Sequence, residues 1–153
     1  MDGVKGGVDM TEHIIEIAAD APSVRRLAAW IHRVLELHLD AEVVELLAPK
    51  VDLAVREVCT NIVEHAYADR VDGRISVTLD VATTEVVVTT SDNGVAFTPD
   101  APDAADASDA SDASGHGLFI VHRLTTTFAI ERIGTRNRAT LRFDLAPTDK
   151  DVL

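Results

Sequence analysis

Across 153 residues there is one cysteine, one tryptophan and one tyrosine, and only 14 lysines and arginines stand against 26 acidic residues. Each shortage excludes something. A lone cysteine, Cys59, cannot form an internal disulfide, and its apolar neighbours mark it as a buried structural thiol rather than a nucleophile. The formal net charge of −12 argues against a nucleic-acid partner, because a phosphate backbone attracts a basic patch, and is compatible with a basic protein partner. No apolar run approaches the roughly 20 residues of a membrane span, so a soluble chain with no membrane partner is expected. The opening MDGVKGGVDM lacks the charged and apolar regions of a signal peptide, which predicts a cytoplasmic location.

What is present suffices for one core. With 46% hydrophobic residues, the chain is long enough for one domain and too short for two. Residues 1–10 are Gly-rich and read as disordered, residues 11–146 as the domain, and 147–153 as a loose tail. Thr11 to Ala18 reads as a strand. Asp20 reads as an N-cap, with Pro22 in the first turn of an amphipathic helix that carries Trp30 and offers a candidate dimer or partner surface. From Asp40 a second helical pattern begins, which Pro49 is expected to kink or divide, so that a separate helix runs from about Pro49 to Tyr67. Arg74 to Val81 and Glu85 to Thr90 read as an antiparallel hairpin. Thr98 to Ser114 holds only Ala, Asp, Ser, Pro and Thr, with Asp100, Asp103, Asp106, Asp109 and Asp112 at every third position, and is expected to form a mobile acidic lid. A short helix follows, then strands at Phe128 to Ile133 and Arg138 to Leu145 around a turn at Gly134 to Asn137. This order predicts an α+β fold, a two-layer sandwich with helices on one face of a mostly antiparallel, mixed sheet.

The stretch Val55 to Tyr67, VREVCTNIVEHAY, is the one around which the rest is organised. Helical spacing puts Glu57, Asn61 and Glu64 on one stripe and Val55, Val58, Cys59, Ile62 and Ala66 on the other. A carboxylate and an amide one turn apart suit a general base beside an oxygen ligand for Mg²⁺; a solvated helix face is the alternative. Asp92-Asn93-Gly94 likewise has two readings. It is either a tight turn capped by Asp92, or a carboxylate at a strand end that accepts from an adenine amino group while Gly94 lets the backbone approach the ring. Gly115-His116-Gly117-Leu118 opens a helix, where free amides and the positive dipole end favour phosphate; a flexible hinge is the other reading.

Taken together and in this order, the three motifs resemble the GHKL, or histidine-kinase-like, ATPase superfamily with its Bergerat fold. Within it the chain is most similar to the small bacterial anti-sigma factors that are also serine kinases, over about Thr11 to Leu145. The resemblance implies ATP and Mg²⁺ as cofactors, Glu57 as the catalytic base, and Asn61 as the Mg²⁺ ligand and a nucleotide-binding residue. It further implies Asp92 and Gly94 at the adenine, Gly115, Gly117 and Leu118 at the triphosphate, and Thr140 near the base or its bound water. Its implied partners are a sigma factor, an anti-anti-sigma protein of the STAS type and a second copy of the chain. Phosphorylation of a serine on the antagonist would then regulate transcription by partner switching. Ala96 departs from the family pattern, standing where a second glycine is usual, and the acidic lid departs by placing negative charge beside a triphosphate. These departures keep open a different class of function, a non-catalytic binding module that retains the fold without productive ATP use.

Overall fold

The computed structural model describes residues 11–67, 72–96 and 113–145, and only the backbone of 113–116. The expected disordered N-terminus, most of the acidic lid and the tail therefore lie outside the described residues. Alternating β-branched and polar residues build β1 (Thr11–Ala18), β2 (Arg74–Val81), β3 (Glu85–Asp92), β4 (Thr127–Ile133) and β5 (Arg136–Asp144). They form one sheet in the order β1-β2-β3-β5-β4, and every neighbouring pair is antiparallel. The mixed character expected of the sheet is absent among the described residues. One face turns Ile75, Val77, Leu79, Val86, Val88 and Leu141 completely out of water. The other is polar, crossed by exposed pairs such as Arg74–Glu16 at 3.7 Å and Arg138–Glu131 at 3.3 Å, each of which adds little stability.

Two long helices and one short one cover the apolar face, giving the two-layer sandwich of the Bergerat type. Helix α1 (Ala21–His38) starts where the Asp20 carboxylate accepts the Ser23 amide at 2.8 Å, and it buries Leu27, Ile31 and Leu35. Helix α2 (Ala41–Asn61) continues through Pro49 as one helix, so the expected separate helix from about Pro49 does not form. Pro49 and Glu45, whose carbonyl loses its donor, are both exposed, while buried Leu47, Ala48 and Val51 anchor both halves in the core. Solvation of one carbonyl costs less than pulling those side chains apart. The helix then widens into a π turn at Ile62–Ala66, closed by the Tyr67 amide donating to Ile62 O at 3.1 Å. Helix α3 (Ala113–Leu124) follows the acidic segment and packs on α2.

Strand limits differ most at the last hairpin. The turn has contracted to Gly134 and Thr135, with Gly134 at φ 62° and no positive φ at any described non-glycine residue. Glycine first and an ordinary residue second is the pattern of a type II′ turn, whose twist matches the flanking strands. Asn137 thus belongs to β5 rather than to the turn, and alternation places it with buried Ala139 and Leu141 on the helix-covered face.

Candidate functional site

At the end of α2 two polar side chains point toward α3. Asn61 is only 7% exposed, yet its amide has no hydrogen-bond partner among the described residues. Every fully buried side-chain nitrogen and oxygen among the described residues is paired, so the Asn61 amide is left open to the cleft that it lines, where a ligand can meet it. Opposite stands Gly117, where a β-carbon would lie 2.6 Å from Glu57 Oε1 and 3.8 Å from Asn61 Nδ2. Absence of a side chain at Gly117 is what lets α3 close over these two groups. Glu64 does not join them, because the π turn changes the helical register and leaves it exposed.

The second cluster forms where β3 ends. Asp92 is 1% exposed, and its Oδ1 accepts the Gly94 amide at 2.9 Å and the Asn137 amide group at 2.8 Å. Asp92 thus caps the turn, and it also lines a cleft with Asn61, Ala66, Thr90, Leu118 and Asn137. That cleft has about 370 Å³ of empty volume, counting the part open to solvent. Gly94 has ordinary φ, and its need for glycine is steric, since a β-carbon would meet Ala66 O at 2.5 Å. The π turn aims that same carbonyl at the Val95 amide, 2.9 Å away. Arg132, from β4, donates to Gly94 O at 3.0 Å and to Asn137 Oδ1 at 3.1 Å. Beneath the site, complete burial and the nearby Asp92 charge push the Cys59 thiol up to about 12, which keeps it neutral and inert.

The structure therefore gathers Asn61, Asp92 and Leu118 around one cleft, with Gly94 in the turn at its edge and Glu57 and Gly117 beside Asn61. Gly115 falls in the first turn of α3, where backbone amides have no partner within the helix, whereas Gly117 is far enough along for its amide to be used by the helix. Its role is close approach, not a free amide. Thr140 is elsewhere. It pairs with Thr89 and Ala129 on the outer face of the sheet, and the hydroxyl residue at the cleft is Thr90, buried and paired with Ala139. Asn137, Arg132 and Thr90 were not expected at the site. The first of them was findable, because Gly-Thr read as a two-residue turn puts Asn137 on the inward alternation of β5.

A profile described as the histidine kinase-like ATPase domain matches residues 17–143, most of the chain and both clusters. The chain belongs to this family. No curated protein matches it. Among solved structures, the chain is similar to the crystal structure of the RsbU and RsbW domains of Rv1364c from Mycobacterium tuberculosis, with a TM-score of 0.62 and 22% identity. The likeness covers 90% of this chain, which spans only 33% of that one, and at this identity it establishes the shared fold. The described residues of this histidine kinase-like ATPase domain fit a magnesium nucleotide: a cleft-lining amide, a carboxylate beside it, a second carboxylate in the same cleft, and glycines where α3 and the turn after β3 come close to α2 and the π turn. Among the described residues no helix is long and apolar enough to cross a membrane.

Proposed function

We propose that this histidine kinase-like ATPase domain is an anti-sigma factor that phosphorylates a serine on a STAS-type anti-anti-sigma protein at the expense of ATP. Binding and release of the sigma factor would then follow the phosphorylation state of the antagonist, regulating transcription in the cytoplasm, with the kinase acting as a homodimer. The observation that carries this reading is the meeting of α2 and α3, where Gly117 leaves room for Glu57 directly beside the unpartnered Asn61 amide. The likeness in sequence motifs to bacterial anti-sigma serine kinases and the fold shared with a chain containing an RsbW domain support the same choice.

In this mechanism Glu57 takes the proton of the attacking serine hydroxyl, and Asn61 offers its oxygen to Mg²⁺. Asp92 accepts from the exocyclic amine of the base, with Gly94 keeping the turn close to the helix end. Gly115 presents an amide that the helix itself does not use, near the positive end of α3. Bound Mg·ATP supplies the transferable phosphoryl group and the cationic charge that phosphoryl transfer depends on.

The non-catalytic alternative rested on Ala96 and the acidic segment. Ala96 is exposed and its φ is not positive, so the missing glycine imposes no backbone strain there. The test is phosphate transfer from labelled Mg·ATP to purified STAS-type antagonists, comparing wild type with Glu57→Ala. Transfer should fall by at least about a hundredfold in the variant, with nucleotide affinity changed only a few-fold. Normal transfer by Glu57→Ala would remove Glu57 as the base, and a wild type that binds no ATP at millimolar concentration would return the chain to the class of binding modules.

A further inference from the structure

The chain of contacts from exposed Arg132 through buried Asn137 to buried Asp92 is more than a brace for a turn. Resting on the nucleotide reading above, we infer that Asn137, locked by Arg132, is the residue that makes the site select adenine over guanine. It is a positioning residue that acts through Asp92.

A carboxylate has two oxygens and can meet a ligand with one or both. In this site Oδ1 of Asp92 is already taken twice, by the Gly94 amide at 2.9 Å and by Asn137 Nδ2 at 2.8 Å. Among the described residues no donor reaches Oδ2, so one acceptor oxygen is left for a base. The amino group of adenine needs one acceptor. Guanine presents a ring N–H and an amino group side by side, a donor pair that would use both oxygens of a freely turning carboxylate. With Oδ1 occupied, that paired contact is denied, and the guanine carbonyl set against Oδ2 would bring two acceptors together. Discrimination therefore comes from what Asn137 withholds as well as from what Asp92 offers.

This works only if Asn137 cannot flip. Its Nδ2 also donates to Val95 O at 2.9 Å, and its Oδ1 accepts from Arg132 Nη1 at 3.1 Å. Turned over, the amide would set its oxygen against the Asp92 carboxylate and the Val95 carbonyl, and its NH₂ against the guanidinium. Each of these contacts would change sign. Arg132 also holds Gly94 O at 3.0 Å, so one guanidinium fixes both donors that occupy Asp92 Oδ1. The charged ends of the chain polarise the neutral amide between them, which strengthens both links.

The experiment measures dissociation constants of Mg·ATP and Mg·GTP, by calorimetry, for wild type, Asn137→Ala and Arg132→Met. Wild type should prefer ATP. In Asn137→Ala the ratio of ATP to GTP affinity should shrink by about tenfold or more, through tighter GTP binding as Asp92 Oδ1 is freed and weaker ATP binding as the carboxylate loses its fixed orientation, the scale of one hydrogen bond to a charged group. Arg132→Met should shift the ratio the same way by a smaller factor. Because Arg132 is exposed, this second variant keeps the test open if Asn137→Ala fails to fold. Equal losses for both nucleotides in the folded variants would make the two residues merely structural and overturn the inference, while leaving the nucleotide site in place. A wild type that binds neither nucleotide would overturn the inference together with the reading beneath it.

Discussion

The backbone amide of Asn93 donates to the hydroxyl of Tyr67 at 3.0 Å, so the residue that closes the π turn holds the turn carrying Asp92. The Tyr67 ring packs flush against Gly73, which leaves it room, since a β-carbon there would come within 2.5 Å of it. Tyr67→Phe keeps the ring and deletes the hydroxyl. It should lower stability by about 1–2 kcal/mol, as expected for loss of a partly buried hydrogen-bonding group, and weaken ATP several-fold. Denaturant unfolding and nucleotide titration of the same preparation check both halves.

Gly117→Ala separates catalysis from folding. Alanine inside a helix is favoured by up to about 1 kcal/mol over glycine, so thermal stability should hold or rise. The new methyl would nevertheless displace the Glu57 carboxylate, which ends a flexible side chain 2.6 Å away. Phosphate transfer should drop by about a hundredfold, the scale for an ångström of misplacement. A stable variant with full kinase activity would show that Glu57 need not stand where it does.

Ala96→Gly should restore nothing. The position is exposed and free of positive φ, so glycine removes no strain and adds only freedom to the unfolded chain. Expected outcomes are ATP affinity within about twofold of wild type and stability unchanged or lower by up to about 1 kcal/mol. A large gain in affinity would reveal a steric demand by the ligand at this point.

Asp80 gives the fold a pH dependence. Partial burial, and then the neighbouring Glu12, raise its carboxyl above the ordinary range, against a smaller opposing effect of His13. A raised acid binds protons more readily folded than unfolded, so its contribution to stability falls as pH climbs from the ordinary carboxylate range through the raised value. Asp80→Asn should therefore have a higher melting temperature than wild type at pH 7, and the difference should shrink toward acid pH. A difference that stays constant from pH 3 to 7 would show that ionisation of Asp80 is not its source.

Local patterns carried much of this protein. Thr11–Ala18 is a strand at the limits its composition suggests, Asp20 caps α1, and the Val-rich hairpin stands where alternation put it. The spacing of Glu57 and Asn61 depends only on helical pitch, and Asp92 lies at a strand end, so these positions were legible without neighbours. What they face was not. Thr140 and Asn137 differ by an odd number of residues along one strand, so opposite faces receive them, and which face meets the helices depends on pairing with β3 and β4. Pro49 stays in a continuous helix because the core holds both flanks, a force no local propensity contains. Gly117 matters through a carboxylate sixty residues earlier in the chain, which only the packing of α3 on α2 brings against it.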